Sequence, residues 1–273
     1  MCRTATVIPV HPPKFGYAME AVKTWNKYSN NDLYFIFSYP DDEVLFRKNI
    51  EGQYNTLVLP QELVHYKNPI TVKKLWGVSQ LIDAYDYVGV FDAEIKIVKP
   101  FNTDEIYPEI FQTKELKCNA CMPSVDGGAV VKNNSLTMGI AGNENLIRET
   151  ENFKWYWWFN EICVYESATF DEFMTFLKNS GGLEIYYNEY WCFDYLLYGI
   201  WLLAFKNFKT KKFFPDKKFG FGAIEHNQFN VGNISDEFKS YMDSNMYPER
   251  HDHIKVQFHM DRYIDPKDFV YPA

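Results

Sequence analysis

Four short apolar runs before residue 92 constrain this chain more than any other feature. They are Ala5 to Val10, Leu33 to Ser38, Asn55 to Leu59 and Tyr87 to Phe91. A strand with one face in water alternates apolar and polar residues. These runs are nearly continuous, as strands covered on both faces are. The segments between them have a different period. His11-Pro12-Pro13 breaks the first run, and Ala18, Ala21, Val22 and Trp25 then fall at i, i+3, i+4 and i+7, one face of a helix. Pro60 stops the third run, and Pro69 to Ala84 reads as a helix with Val72, Leu75, Trp76 and Ile82 on its inner side. Apolar strands alternating with helices predict an α/β fold whose central, mostly parallel sheet is flanked by helices. Such sheets bind ligands at the carboxyl ends of their strands, where His11 and Asp92 fall.

The second half is less regular. A strand is expected around Asp126-Gly127-Gly128, a helix over Thr169 to Lys178 ended by Gly181-Gly182, and a strongly apolar helix over Glu189 to Phe205. Ser235 suits the N-cap of a short helix, and Ile254 to Phe258 a late strand. With no repeat and no clear linker in 273 residues, the chain reads as a single domain whose halves share one sheet.

Composition removes several functions. A net charge of −8 argues against nucleic acid as a partner and repels anionic membrane faces. The most apolar window, Tyr195 to Phe205, is too short to span a bilayer, and MCRTATVIPV lacks a signal-peptide pattern. No membrane insertion and a cytoplasmic location are therefore expected. The five cysteines are odd in number and scattered, unlike a disulfide framework, and Cys118-Asn-Ala-Cys121 is a lone pair more consistent with reduced thiols than with zinc. GxGxxG, P-loop, GxSxG and HExxH patterns do not occur.

Asp92-Ala93-Glu94 follows the last apolar run. In extended chain, residues i and i+2 point the same way, so both carboxylates can reach one hard cation such as Mn²⁺ or Mg²⁺. The alternative is a solvated acidic turn. Asp194 is the one acid in an apolar stretch, and burying a carboxylate is costly unless it is paired or functional. Trp155-Tyr156-Trp157-Trp158-Phe159 fits core packing or an acceptor groove.

An apolar strand ending in Asp-x-Asp, preceded by a helix carrying Lys, resembles the signature of GT-A-fold glycosyltransferases. Here it stands as Asp92-Ala93-Glu94, with Lys73-Lys74-Leu75-Trp76 in the helix before it. The resemblance implies a GT-A-like fold, with residues 1–115 as the nucleotide-binding half and 116–273 as the acceptor-binding half. It also implies transfer of a sugar from a UDP-sugar donor, such as xylose, glucose or galactose, to a hydroxyl of a glycan acceptor. The implied metal ligands are Asp92, Glu94 and a late histidine from the cluster His251, His253 and His259, with His259 the first choice, His253 the second and His226 an outsider. Pro9, Val10 and His11 resemble the loop that holds base and ribose, and Tyr39, Lys73, Asp92, Ala93 and Asp126-Gly127-Gly128 complete the implied donor site. In an inverting member, a carboxylate opening the apolar helix takes the acceptor proton. Asp194 is the first choice, Glu189 the second, and Trp191 a platform for the acceptor sugar. Glu in the last motif position departs from the family pattern and makes metal dependence the property to test. A sugar nucleotidyltransferase, which would need a Gly-rich basic loop after the first strand, and a non-catalytic glycan-binding protein are the alternatives.

Overall fold

A computed structural model describes residues 2–93, 95–97, 100, 102–119, 125–151, 163–189, 192–213 and 255–257. The four apolar runs form strands close to their expected bounds: β1 (Thr4–Pro9), β2 (Asp32–Phe37), β3 (Asn55–Val58) and β4 (Tyr87–Val90). Helices α1 (Phe15–Tyr28), α2 (Pro40–Asn49) and α3 (Pro69–Leu81) connect them. Then follow β5 (Ile95–Ile97), α4 (Thr103–Thr113), β6 (Glu115–Asn119), α5 (Val125–Thr137), α6 (Glu144–Glu151), β7 (Cys163–Glu166), α7 (Ser167–Asn179), α8 (Gly182–Asn188), α9 (Asp194–Phe205), β8 (Lys209–Phe213) and β9 (Lys255–Gln257).

The central sheet has the order β3-β2-β1-β4-β7. β1 pairs in parallel with β2 on one edge and with β4 on the other, and β2 pairs in parallel with β3. β7, the one strand that the described residues of the second half add to this sheet, runs antiparallel to β4. All six residues of β1 are buried, which is why its sequence does not alternate.

The pleat sorts the faces. Thr4 and Thr6 meet α4, through Thr4–Thr103 and Thr6–Tyr107 hydroxyl contacts. Val7 points to the other face, where α3 crosses the sheet so closely that a Cβ on Gly77 would overlap the Ile36 side chain. Gly89 of β4 lies under Tyr107, so Val88 and Val90 take the α3 face. Asp92 continues that parity. Buried apolar side chains such as Val7, Ile8, Phe35 and Val90 each contribute about 1.5–3 kcal/mol, enough in sum to fix the sheet.

Three expectations need correction. Asp126-Gly127-Gly128 is not a strand but the start of α5, whose first turn tolerates glycine because its N–H groups need no helical partner. The apolar helix does not begin at Glu189: α8 ends at Asn188, Glu189 is its extended C-cap, and α9 begins at Asp194. Gly181, at φ 70°, ends α7 as expected, and Gly182 opens α8. The late strand exists as β9, paired antiparallel with β5 and not with the central sheet. β6 and β8 form another two-stranded ribbon. Among the described residues, no helix is long and apolar enough to cross a membrane.

At Gly89 the absence of a side chain is what lets α4 close on the sheet. A Cβ there would overlap the ring and hydroxyl of the fully buried Tyr107. Gly89→Ala should lower stability by about 1–3 kcal/mol, read as a fall in the thermal midpoint by circular dichroism. An unchanged midpoint would show that α4 does not sit on β4 in this way.

Candidate functional site

The strand order locates a crevice. From β1 the chain adds β2 and then β3 on one side, and returns to place β4 on the other. That reversal between β1 and β4 is where open parallel sheets bind ligands, beyond the carboxyl ends of the strands. The residues just past those ends are Val10-His11 and Phe91-Asp92-Ala93. Backbone pairing continues into both, through Val10 N–H to Ile36 O at 3.0 Å and Phe91 N–H to Val7 O at 3.0 Å. His11 and Asp92 therefore flank the crevice on adjacent strands. His11 is half-buried in extended backbone before Pro12, and its carbonyl accepts from Lys14 N–H at 2.8 Å.

Beneath the crevice lies a buried ion cluster. Lys74, on α3, donates to Asp92 Oδ1 at 2.8 Å and to Asp194 Oδ1 at 3.0 Å. The side chains of Lys74 and Asp194 are 8% and 3% exposed, against 35% for Asp92. Burial pulls the Lys74 pKa down, but the charges of Asp194 and Asp92 outweigh it and hold the ammonium protonated well above the usual lysine range. Burial pushes the Asp194 pKa up, with Lys74 pulling it back. Removing one partner of such a pair strands a buried charge, at a cost of about 3–5 kcal/mol.

Side-chain clamps bring Asp194 to this place. Asn68 caps α3, its side chain accepting from Thr71 N–H at 3.4 Å. The Asn68 amide also donates to the carbonyls of Tyr186 (3.3 Å), Glu189 (3.0 Å) and Cys192 (3.3 Å), and Asn68 N–H donates to Tyr187 O (2.8 Å). Thr71 Oγ1 adds a bond to Cys192 O at 3.4 Å. The segment leading into α9 is thus stitched to the first turn of α3, one turn below Lys74.

Other expected residues fall in different settings. Lys73 is buried, and its ammonium donates to Val10 O at 2.8 Å, clamping the end of β1. Burial lowers its pKa to about 8, with Asp42 opposing. Pro9 and Val10 are also buried, so they shape the loop from behind. Asp194 is no exposed base: it faces Lys74, and among the described residues its Oδ2 has no hydrogen-bond partner. Glu189 is exposed. Tyr39 is 50% exposed at the N-cap of α2, beyond the end of β2, where a flat ligand has access to its ring. Ala93 is buried. The backbone of Asp126, Gly127 and Gly128 is helical, and the Asp126 side chain lies outside what is described. Glu94, Cys121, Trp155 to Phe159, Trp191, His226, Ser235, His251, His253 and His259 lie outside the described residues.

Lys74 was missed by reading residues singly. A lysine that lies with Leu75, Val78 and Leu81 inside a helix packed on the sheet needs a buried partner, and Asp194, isolated in an apolar run, needs one too. Pairing those two demands across 120 residues is the signal that could have found the cluster.

For a metal, Asp92 fits as one hard oxygen ligand, partly exposed at the crevice. Among the described residues, no group of three His, Cys, Asp or Glu side chains could hold an ion. No protein-family model and no curated protein matches the chain.

His11 gives the site a titration signature. Burial, then the charges of Lys73 and Lys14, lower its pKa to about 4, below the ordinary 6.5. The imidazole is therefore neutral at pH 7 and suited to hydrogen bonding or stacking. Because protonation favours the unfolded chain, the stability from neutral His11 is full above pH 6.5 and is lost as pH falls through about 4. The His11 ring resonances should titrate with a midpoint near pH 4 by NMR, and a midpoint near 6.5 would place the ring in open solvent instead.

Proposed function

We propose that the chain is a GT-A-like glycosyltransferase that takes a nucleotide-sugar donor, best read as a UDP-sugar, and transfers its sugar to a hydroxyl of a glycan acceptor. The observation that carries this reading is the position of Asp92 and His11 on the two sides of the β1/β4 switch point. In this reading the base and ribose lie over His11 and Tyr39, and the diphosphate lies toward Asp92. A neutral His11 suits an uncharged base better than a phosphate.

The net charge of −8 makes an anionic donor dependent on local cations. Asp92, with Glu94 and His259, would hold Mn²⁺ or Mg²⁺, which when bound neutralises charge on the leaving diphosphate. The chain's own part is to orient Asp92, keep the α3 face dry behind it, and present an acceptor base. Of the two carboxylates considered for that proton, Glu189 is the one in reach of solvent and hence of an acceptor hydroxyl. Asp194, buried against Lys74, is not.

Incubation with a panel of UDP-sugars, Mn²⁺ and glycan acceptors should release UDP. Asp92→Asn should lower kcat/KM by at least about 100-fold, and Glu189→Gln should lower kcat by a similar factor while UDP binding persists. No UDP release from any donor, together with no thermal shift from UDP plus Mn²⁺, would overturn the reading.

A further inference from the structure

We propose that Lys74 is a positioning residue that fixes the Asp92 carboxylate by tying it to Asp194 at the start of α9, and that Asp194 acts only through Lys74. The inference rests on the reading of the β1/β4 crevice as the donor site. Two consecutive elements and one far along the chain meet at one ammonium: α3 supplies Lys74, the end of β4 supplies Asp92, and α9 supplies Asp194.

Asp92 needs such a tether. The sheet ladder carries as far as Phe91 N–H on Val7 O, and Asp92 lies one residue beyond it. Past the end of the ladder, the orientation of a carboxylate is set by its side-chain contacts. Lys74 comes from the face to which the pleat already directs Asp92, and grips one of its oxygens at 2.8 Å.

A lone ammonium could not do this from inside the protein. At 8% exposure Lys74 needs a counter-charge that remains when Asp92 takes a ligand. Asp194 supplies it, and its position is over-determined by the Asn68 and Thr71 clamps on the loop before α9. The unpartnered Oδ2 of Asp194 fits this assignment. It leaves a buried acceptor next to Lys74 that no other group among the described residues claims. A group meant to touch an acceptor sugar would instead be open on that side.

The test compares wild type with Lys74→Met, Asp194→Asn and the double variant Lys74→Met/Asp194→Leu. Lys74→Met alone strands a buried carboxylate and should lower the thermal midpoint by about 10 °C. The double variant replaces the pair by apolar groups of similar size and should regain most of that loss. It should nevertheless bind Mn²⁺ in the presence of UDP about 10-fold to 100-fold more weakly, by electron paramagnetic resonance, with kcat reduced in the same range. Its crystal structure should show the Asp92 carboxylate displaced.

Mn²⁺ affinity and kcat equal to wild type in the double variant would reduce the cluster to a structural ion pair and overturn the proposal. Loss of turnover in Asp194→Asn with Mn²⁺ affinity intact would make Asp194 the acceptor base and overturn it as well. If wild type neither binds UDP with Mn²⁺ nor transfers sugar, the functional reading fails. The crystal structure of the double variant then decides alone: a displaced Asp92 sustains the tether, and an unmoved one overturns it.

Discussion

Everything that positions the crevice depends on β1 being hydrogen-bonded in parallel on both edges. With β2 on one side and β4 on the other, β1 has no exposed edge and no exposed face, so all its residues are buried. That fixes α3 and α4 on opposite faces and leaves the carboxyl ends of β1 and β4 side by side. His11 and Asp92 follow from this register: each stands two residues past the end of its strand. A slip of one residue in β4 would turn Asp92 from the α3 face to the α4 face and break its contact with Lys74.

α3 links the sheet to the second half of the chain. Its consecutive lysines are both buried and both serve carbonyl or carboxylate groups at strand and helix ends. Lys73 clamps Val10, and Lys74 joins Asp92 to Asp194. The first turn of α3, through Asn68 and Thr71, holds the segment before α9. One helix therefore sets the crevice floor, the orientation of its acid, and the place of the α9 N-terminus. Glu189 is carried on the same stitched segment through its carbonyl bond to Asn68.

The first half of the fold was legible because its strands are buried on both faces and its helices are punctuated by proline. Val7, Phe35 and Val90 could not be read as anything but core. α2 leaves little trace in the sequence because PDDEVLFRKN buries only Phe46 and has little apolar periodicity. β7 was overlooked because CVYE is short and gains its place by pairing with β4, a long-range contact that leaves no local pattern. Asp126-Gly127-Gly128 misled because a glycine pair marks a bulge in a strand as readily as it tolerates the first turn of a helix. At the site, Asp92 and His11 were legible from their place after apolar runs. The burial of Lys73, Lys74 and Asp194 was not, because an ion pair is a property of two segments and each showed only its own half of it.

The central claim is that the crevice between the ends of β1 and β4 is where a nucleotide-sugar binds. The most direct measurement is a crystal structure of the protein soaked with UDP and Mn²⁺. The account predicts the base and ribose against His11, and the diphosphate beyond the end of β4 on the side of Asp92. UDP bound at any other place on the molecule, with His11 and Asp92 untouched, would contradict it.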